Sequence, residues 1–365
     1  EPAANFYRIS RSPTEAAESF SQLFVGVRIQ CAKCHNHPYE SISQRDYYGL
    51  AAYFAQVQLK GQRFGRDDET VFLAKTGDVK FPPTEEIVIP TAFGSIEADL
   101  GPHEDRRQRL AAWLSSPENP YFARSVVNRV WQHMMGQGIV EPVDDFRDSN
   151  LPSNPELLDA LATHFVQNGY RFKPLIRTIV NSSTYQLSAE SRVTQSRQAA
   201  SPERYFTKAV VKMLPAEQLI DAIAMATGIP EKFGRYPLGT KAIELAEGDV
   251  DHRFLQAFTK PIRDVACDCA RETDPTLAQV MHLLNNAGIL NRIDASDSRL
   301  ARWLADKMTD DEIVESLYLA TLSRRPKSAE IQLATRHLAE TSNRTEGFRD
   351  LQHALLNSNE FLIRH

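Results

Sequence analysis

No stretch of this 365-residue chain stays apolar for the ~20 residues that a membrane-spanning helix needs, so none is expected. Basic charge is not in excess. Lys and Arg number 42 against 47 Asp and Glu, a formal net charge of −5, which disfavours a protein that holds nucleic acid by neutralising phosphates. There is no glycine-rich phosphate loop and no alternation of strands with helices, so P-loop and Rossmann readings are poor. No serine sits in a G-x-S-x-G elbow, and no internal repeat recurs at a fixed period. No signal peptide is visible. The chain opens at Glu1-Pro2 without Met, which reads as a processed, trimmed or partial product.

What is present suffices for a core: 42% of residues are hydrophobic and 24% charged. Cysteine is scarce, at four, but the four form two tight pairs, Cys31/Cys34 and Cys267/Cys269. Paired cysteines imply a staple or a chemistry.

The first pair lies in Cys31-Ala32-Lys33-Cys34-His35, which matches C-x-x-C-H, the attachment signature of c-type haem. Thiols three positions apart on a helical turn can reach the two vinyl groups of one porphyrin. The next residue, His35, then lies under the iron as proximal ligand. A zinc or disulfide site followed by a histidine is the bland alternative. For the sixth iron position, His133 at a helix end is the first choice, against a histidine that only meets the helix dipole. Met134 and Met135 read as core packing. His37 is too near His35 to cap the opposite face, so it would bond a propionate or hold a second metal. His103 is a weaker candidate in a linker.

The second pair, Cys267-Asp268-Cys269, has two readings. It is a disulfide in an oxidising compartment, or it joins Cys31 and Cys34 in a four-thiolate zinc site. In the zinc site His35 stands behind the sulfurs, and His37 and His133 are substitutes. Asp144, Asp145 and Asp148 could form a carboxylate pair for acid–base chemistry; ordering a turn is the favoured role. Tyr39, Tyr47, Tyr48, Tyr53 and Phe54 flank the motif and read mostly as helix core.

The organisation is mainly α-helical and bundle-like. Ser12-Pro13-Thr14-Glu15 is a capping box with proline at the first helical position. Apolar spacing from Ala16 to Val27 predicts a helix ending near Gln30. Ser43 and Asp46 open another over 46–57. Residues 58–103 carry glycines, prolines and β-prone pieces at 70–73 and 87–89, which read as a linker with a small β element. Helical patterns resume at 104, with segments at 109–114, 120–135, 155–166 and 173–180. The stop signals are Gly136 and Gly138 for the second and Gly169 for the third. Residues 188–203 read as a loop. Further helices are predicted at 215–226, 275–284, 299–307, 310–322, 329–338 and 347–356.

Residues 23–40 (LFVGVRIQCAKCHNHPYE) and 46–54 (DYYGLAAYF) resemble the C-terminal half of the planctomycete cytochrome C-like domain, DUF1549. From about 105 onward the chain resembles the companion PSD1 domain, DUF1553. The segments that carry this are 128–140 (NRVWQHMMGQGIV), 144–159 (DDFRDSNLPSNPELLD), 175–187 (LIRTIVNSSTYQL), 267–271 (CDCAR), 317–326 (LYLATLSRRP) and 356–361 (LNSNEF). The resemblance implies three segments: 1–57 with the C-x-x-C-H, a linker over 58–103, and a PSD1-like helical domain over 104–365. It also implies haem at Cys31, Cys34 and His35, with His37, His133, Cys267 and Cys269 belonging to the family pattern.

The leading expectation is therefore an exported, periplasmic or extracellular, c-type haem protein in electron transfer. Its partner would be a redox protein or another cytochrome domain. One alternative is a non-redox scaffold stapled by a zinc site at Cys31, Cys34, Cys267 and Cys269. Another is a haem redox enzyme acting on a polysaccharide or small molecule.

Overall fold

Ser12 accepts a hydrogen bond from the Glu15 amide and the Glu15 carboxylate accepts one from Ser12, so the predicted capping box starts a helix at Pro13. The computed structural model describes residues 4–38, 41–61, 69–94, 104–189, 204–245, 250–258 and 287–364. The described residues are mainly α-helical, as expected, and form two compact units that divide between Val210 and Val211.

The first unit begins with α1 (Asn5–Ile9) and α2 (Pro13–Phe20), and α2 runs into a π-helical turn at Ser21–Val25. The helix does not reach Gln30 but stops at Gly26, whose φ of +79° is left-handed and whose amide donates to Ser21 O at 2.8 Å. A side chain at Gly26 would also come within 2.9 Å of Phe146 and Ser125, so only glycine fits this crossing. Val27, Arg28 and Ile29 then alternate buried, exposed, buried, the pattern of a half-buried extended segment.

A 3₁₀ turn at Gln30–Lys33 and α3 (Gln44–Ala52) follow. Val57, predicted as helix, instead begins β1 (Val57–Lys60), which pairs antiparallel with β2 (Thr70–Leu73), Val57 opposite Leu73. The reason is local: α3 unwinds through a turn at 53–56, and the β-branched Val57 enters the ladder. Then come α4 (Arg106–Leu114), α5 (Phe122–Met135), α6 (Pro155–Gln167) and α7 (Phe172–Val180). Gly136 caps α5 at φ +87°, and Asn154 caps α6 by accepting from the Leu157 amide.

Two cores hold this unit. One joins Ala17, Phe20, Ile29, Ala32, Tyr47, Leu50 and Phe54 to Leu110 of α4, with Trp113, Tyr121 and Phe146 against it. The other packs Val127, Trp131 and Met135 of α5 on Leu158, Phe165, Leu175 and Ile179. Residues after 104 thus share a core with the first sixty, and the boundary at Val210 falls inside the segment 104–365 that the sequence groups together.

In the second unit, β3 (Lys212–Met213) pairs antiparallel with β4 (Ile363–Arg364), Met213 opposite Ile363. Between them lie α8 (Ala216–Thr227), α9 (Arg253–Ala257), α10 (Ala287–Ile293), α11 (Arg299–Ala305), α12 (Asp310–Leu322), α13 (Ser328–Glu340), α14 (Arg344–Leu356) and α15 (Asn359–Leu362). Ile313, Val314, Leu317, Tyr318 and Thr321 form the buried stripe of α12, at helical spacing, and Thr309 with Glu312 caps it as predicted. That stripe packs with Leu219, Ile220, Ile223, Phe233 and Phe348. The helix predicted at 275–284 and most of the loop at 188–203 lie outside the described residues.

Candidate functional site

Ile29 and Ala32 have no exposed surface, and they pin the C-x-x-C-H turn into the first core. Between and beyond them the chain makes a 3₁₀ turn, with Ala32 N donating to Ile29 O at 2.9 Å and Cys34 N to Cys31 O at 3.5 Å. At three residues per turn, positions i and i+3 eclipse, so Cys31 and Cys34 share the face opposite Ala32. Both are exposed thiols with no disulfide.

The turn is held from behind by α3. Tyr48 OH donates to Lys33 O at 3.1 Å, Gln44 Nε2 donates to the same carbonyl at 2.9 Å, and the Gln44 amide donates to Asn36 Oδ1 at 2.9 Å. The His37 amide closes the following loop on Ile42 O at 2.8 Å. The start of α3 is itself fixed by the Ser43–Asp46 capping box. Burial raises the Tyr48 hydroxyl pKa, and the nearby Cys34 sulfur raises it further. Tyr47 is fully buried and donates to Glu18; burial and that bond together push its pKa up. Tyr47, Tyr48, Tyr53 and Phe54 are core residues, the role favoured from sequence.

His35 is exposed, and its Nδ1 lies 2.7 Å from Asn36 O. A carbonyl oxygen can only accept, so Nδ1 carries the proton. In the neutral ring Nε2 then keeps its lone pair. This is the tautomer of a metal-ligating imidazole whose orientation is set by its other nitrogen.

Asp144 is fully buried, and Arg28 grips it with both guanidinium arms, Nε to Oδ2 at 3.0 Å and Nη2 to Oδ1 at 2.7 Å. Gln22 donates to the same carboxylate. Burial alone would raise the Asp144 pKa, but the bonds from Arg28 and Gln22 outweigh it and hold the carboxyl below the usual range. Phe146 N donates to Gly26 O at 2.9 Å beside this pair. The segment leading into the cysteines is thus latched to residues 144–146.

Asp144 and Asp145 therefore do not form an acid–base pair: Asp145 is bonded instead to Arg147 at 2.6 Å. Arg28, Gln22 and Gln44 are the residues that sequence reasoning missed, together with the bond from the Tyr48 hydroxyl to Lys33 O. The one visible signal was Arg28, a lone charge between two apolar residues that alternate with it.

His133 is exposed on the last turn of α5, Met134 is half-buried and Met135 is core. His37 is half-buried. Among the described residues, no three His, Cys, Asp or Glu side chains come together in a group that could hold a metal ion. Cys267, Cys269, Tyr39 and His103 lie outside the described residues. Among the described residues, no helix is long and apolar enough to cross a membrane.

The turn can therefore present two thiols on one face with an imidazole nitrogen beside them. That set is competent for thioether formation, soft-metal binding or thiol oxidation. The family model PSD1, described as a protein of unknown function (DUF1553), matches residues 106–338, more than half of the chain. A second model, PSCyt2, also a protein of unknown function (DUF1549), matches residues 4–59. No curated protein and no solved structure matches the chain.

Proposed function

This chain belongs to the PSD1 family, and we propose that its PSCyt2 segment attaches haem covalently and serves electron transfer outside the cytoplasm. The observation that carries the reading is the pairing of two exposed thiols on one face of a turn with a histidine whose Nδ1 is tied to a carbonyl. These residues fit a c-type haem. Cys31 and Cys34 would form its two thioether bonds, and Nε2 of His35 would ligate the iron. Haem supplies one-electron chemistry when bound.

The chain's own part is to orient and to constrain. Ala32 and Ile29 hold the turn in the core, so the sulfurs face outward. Tyr48 and Gln44 fix the Lys33 carbonyl between them. The Asn36 carbonyl selects the His35 tautomer. His133 would supply a second nitrogen to the iron, and a redox protein or another cytochrome domain is the proposed partner.

The test is a pyridine haemochrome spectrum of the chain produced by export in a host that matures c-type cytochromes. The expected result is haem that stays with the protein through acid–acetone extraction. Absence of covalent haem together with one zinc per chain would overturn the reading and favour the thiolate scaffold.

A further inference from the structure

The second unit holds a half-open cavity of about 490 Å³, within the size range of small-molecule sites. Ile220 and Ile223 of α8, Phe254 of α9 and Ile289 of α10 make its apolar wall. Glu231 and Arg292 stand inside as an ion pair, with side-chain exposures of 17% and 12%. His252 Nε2 lies 3.6 Å from the same Glu231 carboxylate. Asp251 and Arg253, both exposed, add a second acid and a second arginine to the lining.

The ligand class follows from this charge arrangement. Two acids and two arginines sum to zero. Burial lowers the His252 pKa, so the imidazole adds no charge at neutral pH. A lone anion or a lone cation would leave an unbalanced charge in a partly desolvated space. A neutral ligand would strip water from Glu231 and Arg292 and return hydrogen bonds that carry charge on the protein side alone. A ligand with one charge of each sign meets both demands. Its carboxylate adds a second acceptor for Arg292, whose pKa burial lowers to about 10. Its ammonium goes to the acids, and an apolar body covers the isoleucines and Phe254.

We propose that this cavity binds a zwitterionic amino acid with an apolar side chain, its carboxylate on Arg292 and its ammonium on Glu231 and Asp251. The proposal is independent of the haem reading, because every lining residue belongs to the second unit.

Calorimetric titration of the full chain with leucine, 4-methylpentanoate and 3-methylbutylamine tests it. These three probes share an apolar body and differ only in head-group charge. Leucine is expected to bind at least about tenfold more tightly than either singly charged analogue. Arg292→Lys is expected to weaken leucine at least about tenfold, with circular dichroism unchanged. Arg253→Ala, a change at an exposed residue, gives a second reading that does not risk the fold, with a smaller loss expected. No leucine binding, equal binding of all three probes, or leucine binding untouched by both variants would overturn the proposal.

Discussion

Removing Arg28 should cost more than removing its partner's charge. Asp144 is fully buried, whereas the Arg28 side chain is 44% exposed. Arg28→Ala leaves a carboxylate with Gln22 as its remaining side-chain donor. Breaking a fully buried pair from one side costs about 3–5 kcal/mol, and water reaching the half-exposed arginine site lowers that to about 2–3. Asp144→Asn removes the charge and keeps the shape, and the freed arginine turns to solvent, so about 1–2 kcal/mol is expected. The double variant should cost less than the sum of the two, because it strands no charge. The assay is urea unfolding of the first unit, followed by Trp113 and Trp131 fluorescence in a Trp303→Phe background. The pH dependence has a definite sign. The folded carboxyl is held below its ordinary value, so the folded chain binds this proton more weakly than the unfolded chain. The stabilisation is complete above the unfolded pKa of about 4 and is lost as pH falls through the lower folded value. The Arg28→Ala penalty should therefore shrink in acid. An Arg28→Ala cost under about 0.5 kcal/mol, or strict additivity with Asp144→Asn, would refute the latch.

Other expectations are simpler. Gly26→Ala places a side chain at a left-handed residue, 2.9 Å from Phe146 and Ser125, and should cost about 2–4 kcal/mol in the same assay. Tyr48→Phe removes one bond to Lys33 O; a loss of about 1 kcal/mol and faster reaction of Cys31 and Cys34 with a thiol reagent are expected. Leu158→Ala opens a cavity in the core that α6 shares with α5 and α7 and should cost about 2–5 kcal/mol, with no change in thiol reactivity.

Local signals proved the readable part of the sequence. Capping boxes at Ser12, Ser43 and Thr309 and the glycine stop at Gly136 work within one helical turn, and each appears in the structure. The spacing of Cys31 and Cys34 was equally visible, and the structure places both on one 3₁₀ turn. The early stop of α2 was not, since apolar periodicity continues through Val27 and the reason for Gly26 lies on Ser125 and Phe146. The Arg28–Asp144 pair spans 116 positions, and no local pattern announces such a partner. Asp144 was legible as a structural residue, but what it structures was not.

Covalent haem attachment would leave its mark on two sulfur atoms, those of Cys31 and Cys34. Chain exported from a cytochrome-maturing host can be digested and the peptide carrying Cys31 and Cys34 weighed by mass spectrometry. One haem joined to that peptide through both cysteines is the expected result. An unmodified peptide whose thiols alkylate freely, or do so only after zinc is chelated, would contradict the account.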